Sequence, residues 1–82
     1  MSANDRLSGR QIAAGRTLVG MSQTDLASTA RISVPTLRRM EASEGATSGY
    51  VNNVESVRRA LEAAGVEFTN GGQPGVRLVS RA

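Results

Sequence analysis

Residues 22–41 read SQTDLASTARISVPTLRRME, and this stretch decides how the rest of the chain is understood. Two helical patterns meet here across a gap too short for anything but a tight turn. The first opens at Ser22, a strong N-cap, and runs through Gln23, Thr24 and Asp25 to Leu26, Ala27 and Ala30; Asp25, at the third position after the cap, makes a variant of the capping box. The second opens at Ser33, again an N-cap. Pro35 falls in its first turn, where a missing N–H costs nothing, and Leu37 and Met40 follow on one face. Two capped helices joined by one turn predict a helix-turn-helix.

Where two such helices cross, small residues are required, and Ala27 supplies one. Ile32, just before the second cap, is placed to plug the angle between them. With Leu26, Ala30, Leu37 and Met40 turned inward, the second helix presents Val34, Pro35, Thr36, Arg38 and Arg39 outward. Short side chains at the leading end and arginines further along suit a helix that presses its N-terminal end into a DNA major groove.

These residues resemble the Cro/C1-type helix-turn-helix of the xenobiotic-response-element family of bacterial and phage regulators. The resemblance rests on Ser22-Gln23, Leu26-Ala27, Arg31-Ile32-Ser33 and Thr36-Leu37-Arg38-Arg39-Met40-Glu41. It extends more loosely to Ala60-Leu61-Glu62-Ala63-Ala64-Gly65-Val66-Glu67-Phe68 and Gly75-Val76-Arg77-Leu78, which are similar to the C-terminal end of a compact subset of these proteins. One departure stands out. The family usually has Gly where this chain has Arg31, because Gly accepts positive φ without a Cβ clash; an arginine there implies about 1 kcal/mol of strain or a turn of different shape.

Candidate DNA contacts follow. Gln23 lies at the N-terminal end of a helix, where N–H groups and the helix dipole favour a phosphate, and the resemblance implies that it anchors the DNA backbone. Ser33, Val34, Pro35 and Thr36 are placed to meet base edges, phosphates or a thymine methyl. An arginine fork can pair with guanine; Arg39, one turn after Pro35, is expected to face the groove and Arg38 to lean toward a strand backbone. Arg31 is expected near a phosphate if the turn faces DNA. The resemblance also implies a structural ion pair between Arg16 and Glu41 that sets the helix angle.

Working outward, residues 1–7 read as a polar arm. Ser8 and Gln11 form a capping box, and Ile12, Ala13, Ala14, Leu18 and Val19 continue a helix that stops at Gly20; Gly15 inside it marks a close approach. Residues 42–49 are small and polar, a loop. Asn52 with Glu55 reads as a third capping pair, and Val54, Val57, Leu61 and Ala64 recur at helical spacing to Gly65, a C-terminal cap. Val66 to Thr69 and Val76 to Val79 alternate apolar and polar around Asn70 to Gly75, which predicts a β-hairpin with Val66, Phe68, Val76 and Leu78 facing inward.

Composition sets the outer bounds. A chain of 82 residues makes one small domain with a thin core, burying only about 60–65% of its unfolded surface. The aromatic residues are Tyr50 and Phe68 alone; the net charge is +3, and all 10 basic residues are arginine, which favours bidentate contacts. Absence of Cys and His removes disulfides, thiol chemistry, the usual zinc ligands and the commonest general base. The seven carboxylates are scattered, and Gly71-Gly72 lacks the context of a phosphate loop, so catalysis is not expected. No apolar run approaches the roughly 18 residues of a membrane span, and the first residues lack a signal-peptide core, so a cytoplasmic location is expected.

The expectation is therefore a mostly α single domain over residues 1–82, with four helices, a helix-turn-helix core at 22–42 and a C-terminal β-hairpin at 66–79. Its expected role is a sequence-specific DNA-binding transcriptional regulator. It is read as a repressor, working as a homodimer on a palindromic stretch of double-stranded DNA, with no cofactor, metal or membrane. The competing reading is a protein-interaction module on the same fold, such as an antitoxin, antiactivator or adaptor, whose partner is another protein.

Overall fold

A computed structural model describes residues 7–43, 51–69 and 73–79. Within them the chain forms α1 (Gly9–Leu18), α2 (Gln23–Ala30), α3 (Val34–Glu41), α4 (Val51–Ala63), β1 (Val66–Thr69) and β2 (Gly75–Leu78). The strands form an antiparallel two-stranded sheet that pairs Val66 with Leu78, Glu67 with Arg77, Phe68 with Val76 and Thr69 with Gly75. The architecture is thus mostly helical with a small hairpin. The second strand begins at Gly75, one residue earlier than its apolar alternation predicts.

Helices α1, α2 and α3 open in the same way. Ser8, Ser22 and Ser33 are extended N-caps whose hydroxyls accept from the N–H groups of Gln11, Asp25 and Thr36. The Gln11 and Asp25 side chains return the bond to the cap N–H at 2.9 and 3.3 Å. Each cap is preceded by an apolar residue (Leu7, Met21, Ile32) and followed at the fourth helical position by a fully buried one (Ile12, Leu26, Leu37). These are the positions of a hydrophobic staple, which fixes the angle at which chain enters helix. The staple explains why Leu7, read from sequence as part of a polar arm, is completely buried.

The two short junctions share a second device. At the end of α1, Gly20 has φ 72°, Gly20 N–H donates to Thr17 O at 3.1 Å and Met21 N–H to Arg16 O at 3.0 Å. After α2, Arg31 takes φ 60° and ψ 44°, with Arg31 N–H on Ser28 O at 3.2 Å and Ile32 N–H on Ala27 O at 3.0 Å. Both are Schellman endings, in which a left-handed residue turns the chain back over the last helical carbonyls. The turn thus keeps its ordinary shape despite Arg31. Met21 and Ile32 each close one helix and staple the next, so one apolar side chain sets both sides of each corner.

The core consists of Leu7, Ile12, Leu26, Ala27, Ala30, Leu37, Met40, Val57, Ala60, Leu61 and Val66. It lies where α2 packs on α4, α1 on α3, and the hairpin on α1 and α4. Gly15 meets this core on the hairpin side: a Cβ there would stand 3.2 Å from Val66 and 3.6 Å from Leu61. The tightest approach is at Gly9, where a Cβ would fall 2.2 Å from the carbonyl oxygen of Met40 and 2.7 Å from those of Glu41 and Ser43. The N-terminus of α1 is therefore pressed against the C-terminal carbonyls of α3, with opposite dipole ends facing.

Several expectations are corrected. Helix α4 is already under way at Val51, so Asn52 is a helical residue and not its cap. On α1 the buried residues are Gly9, Gln11, Ile12 and Gly15, while Ala14 and Leu18 are exposed. Leu78, expected inward, is 57% exposed although its cross-strand partner Val66 belongs to the core. Most of the expected loop at 42–49, and the first residues of the hairpin turn, lie outside the described residues.

Candidate functional site

The candidate site is built on how α3 is held. Arg16, in the last turn of α1, donates from Nε to Glu41 Oε2 at 2.8 Å and from Nη2 to Glu41 Oε1 at 3.1 Å, while Nη1 donates to Met21 O at 3.1 Å. One guanidinium thus ties the end of α3 to the α1–α2 corner. The side chains are 19% and 8% exposed, so the bidentate pair is largely withdrawn from water. The hydrogen bond to Glu41 raises the Arg16 pKa above its ordinary value; desolvation opposes this, and the Glu41 charge adds to the rise. Removing either partner would strand a buried charge.

Gln23, at the start of α2, joins this network. Its Nε2 donates to Glu41 Oε1 at 3.0 Å, and its Oε1 accepts from Arg38 Nε at 3.3 Å. The chain Arg16, Glu41, Gln23, Arg38 therefore links α1, α3 and α2. Both ends of the Gln23 amide, the residue expected to anchor the DNA backbone, are engaged within the protein.

The outer face of α3 is arranged around its cap. The Ser33 hydroxyl donates to Thr36 Oγ1 at 2.8 Å, and Arg39 Nη2 reaches the same Thr36 oxygen at 3.4 Å. Pro35, Arg38 and Arg39 are exposed. Val34 departs from expectation: it is half buried and packs against the core, because it follows Ile32 and Ser33 into the corner. Arg31 is exposed at the adjoining turn. Arg31 and the small polar residues thus lie at the start of α3, and Arg38 and Arg39 in its last turn, where cations suit the helix dipole.

Residue Gln11 has a further role that sequence reading missed. Its Nε2 donates to Thr69 O at 2.9 Å and Gly75 O at 3.1 Å, clamping the turn end of the hairpin to α1, while its Oε1 serves the Ser8 cap. The signal was present only as a capping glutamine; nothing near it in sequence names the hairpin.

Among the described residues no cluster of acidic side chains is arranged to hold a metal ion. An open hollow of about 340 Å³ is lined by Glu62, Gly65, Val66, Glu67 and Val79, none of which belongs to α2 or α3. Among the described residues no helix is long and apolar enough to cross a membrane. No protein-family model matches the chain, and no curated protein matches it.

Proposed function

We propose that the chain is a sequence-specific DNA-binding transcriptional regulator on a Cro/C1-type helix-turn-helix fold, acting as a repressor and as a homodimer on a palindromic operator. The observation that carries this reading is the anchorage of α3. The helix is fixed at its C-terminal end by the Arg16–Glu41 pair and at its start by Ser33 and Ile32, while Pro35, Arg38 and Arg39 stay exposed. A rigidly held helix with an exposed arginine face is suited to recognition in a major groove, the start of α3 and Arg39 reading bases, and Arg31, Arg38 and the backbone N–H groups at the start of α2 meeting phosphates. Leu18, Leu78 and Val79 are the exposed large hydrophobic residues among those described, and they support self-association through the hairpin side.

A mobility-shift titration over fragmented genomic DNA tests the reading. Binding is expected to weaken with salt by a slope of about 0.9 in log K per phosphate contacted, so several contacts lose roughly 100-fold or more between low and physiological salt. Absence of any duplex binding at low salt would instead favour the protein-interaction module.

A further inference from the structure

We propose that Gln23 is a positioning residue that acts through Arg38 and not a phosphate contact in its own right. The argument begins at Glu41. Its carboxylate oxygens only accept, and they already accept from Nε and Nη2 of Arg16. Gln23 must therefore turn its NH2 group toward Glu41, where Nε2 lies 3.0 Å from Oε1. That choice fixes the other end of the amide: Oε1 faces away from Glu41, and the group it meets is the Nε–H of Arg38 at 3.3 Å. The orientation of this amide follows from donor and acceptor chemistry, with the buried ion pair as its reference.

The consequence falls on Arg38. An arginine loses considerable rotamer freedom when it binds an oxyanion, and holding it beforehand reduces that loss. A single bond at Nε restrains the guanidinium and leaves its two Nη groups, the paired donors that suit a phosphate. The chain from Arg16 to Arg38 thus carries the rigidity of the buried pair out to an exposed side chain. Arg39 is held differently, by one longer contact of 3.4 Å to Thr36 within its own helix.

That Arg38's ligand is a DNA phosphate rests on the proposed function, and two measurements separate the two ideas. In the free, full-length protein, relaxation of the arginine Nε–H groups should show Arg38 more ordered than Arg39, and Gln23→Ala should bring Arg38 down to the Arg39 level. If wild-type Arg38 is no more ordered than Arg39, the positioning role is overturned whether or not DNA binds. On a mixed-sequence duplex at low salt, Gln23→Ala should weaken binding by about 5-fold in the wild type and by less than about 2-fold in an Arg38→Ala background, the signature of two residues acting as one. Equal losses in both backgrounds would mean that Gln23 touches the phosphate itself. If wild-type protein binds no duplex while Gln23→Ala still releases Arg38, the positioning stands and the DNA reading fails.

Discussion

Arg31 sits in the left-handed region at φ 60°, the sole non-glycine residue with positive φ among those described. The matching position after α1 is Gly20, at φ 72°, so the same chain uses glycine where the same corner is built. A Cβ in this conformation costs about 1–2 kcal/mol, partly offset by the greater freedom that glycine has in the unfolded chain. Arg31→Gly is therefore expected to stabilise the fold by up to about 1 kcal/mol in urea denaturation. If the strain is kept for a phosphate contact, the same variant should bind duplex DNA more weakly, with a salt slope lower by about 0.9. A variant that gains stability and loses no affinity would place Arg31 off the DNA face. Gly9 works the other way: any side chain there meets backbone oxygen, which cannot move aside as a flexible side chain would.

At the scale of elements, the question is what keeps α3 at its angle. Its apolar face contributes Leu37 and Met40 to the core, but two buried side chains on an eight-residue helix leave its axis free to tilt. The Arg16–Glu41 pair removes that freedom by joining the last turns of α1 and α3. Truncating one partner leaves the other charge poorly solvated, so Arg16→Ala and Glu41→Ala are each expected to cost about 3 kcal/mol. The double variant Arg16→Met with Glu41→Leu should cost less than either single change, because no charge is stranded and volume is kept. Chemical denaturation of the four proteins checks this; additive losses would mean that the two side chains act independently. From the arginine side the pair is insensitive to neutral pH. The folded-state pKa of Arg16 is raised, so its contribution is fully present below the unfolded value and is lost only as pH rises through the higher folded one.

The whole molecule depends on the hairpin, which the structure packs on α1 and α4 of its own chain. Val66 is part of the core and Gln11 clamps the Thr69–Gly75 end, so the hairpin supports the fold itself. A lone hairpin is marginal in water, and packing of this kind supplies what it lacks. At the other end the two strands differ, Val66 being buried and its cross-strand partner Leu78 exposed. Leu78 and Val79 are 57% and 42% exposed, and a strand edge with apolar side chains invites a second strand. A single recognition helix reads few base pairs, whereas a two-fold dimer presents two helices about 34 Å apart. Leu78→Glu is accordingly expected to leave the helical content intact, abolish self-association in sedimentation, and weaken operator binding by roughly 10-fold or more. Unchanged self-association would move the interface away from the hairpin.

What could be read along the chain is what is encoded within a few residues. Ser8, Ser22 and Ser33 as caps and Gly20 and Gly65 as helix ends act through neighbours within five positions, and the strands show as an alternation at every second residue. The pairing of Arg16 with Glu41 was implied by resemblance, since nothing local connects residues 25 apart. Tertiary structure alone decided the rest. Leu7 belongs to the core, and Gln11 reaches partners 58 and 64 residues away. Val34 is half buried and Leu78 exposed because burial depends on where whole elements come to rest. The apolar character of a side chain supplies the driving force for burial, but which side chains are buried is settled by the packing of α1, α4 and the hairpin around one small core.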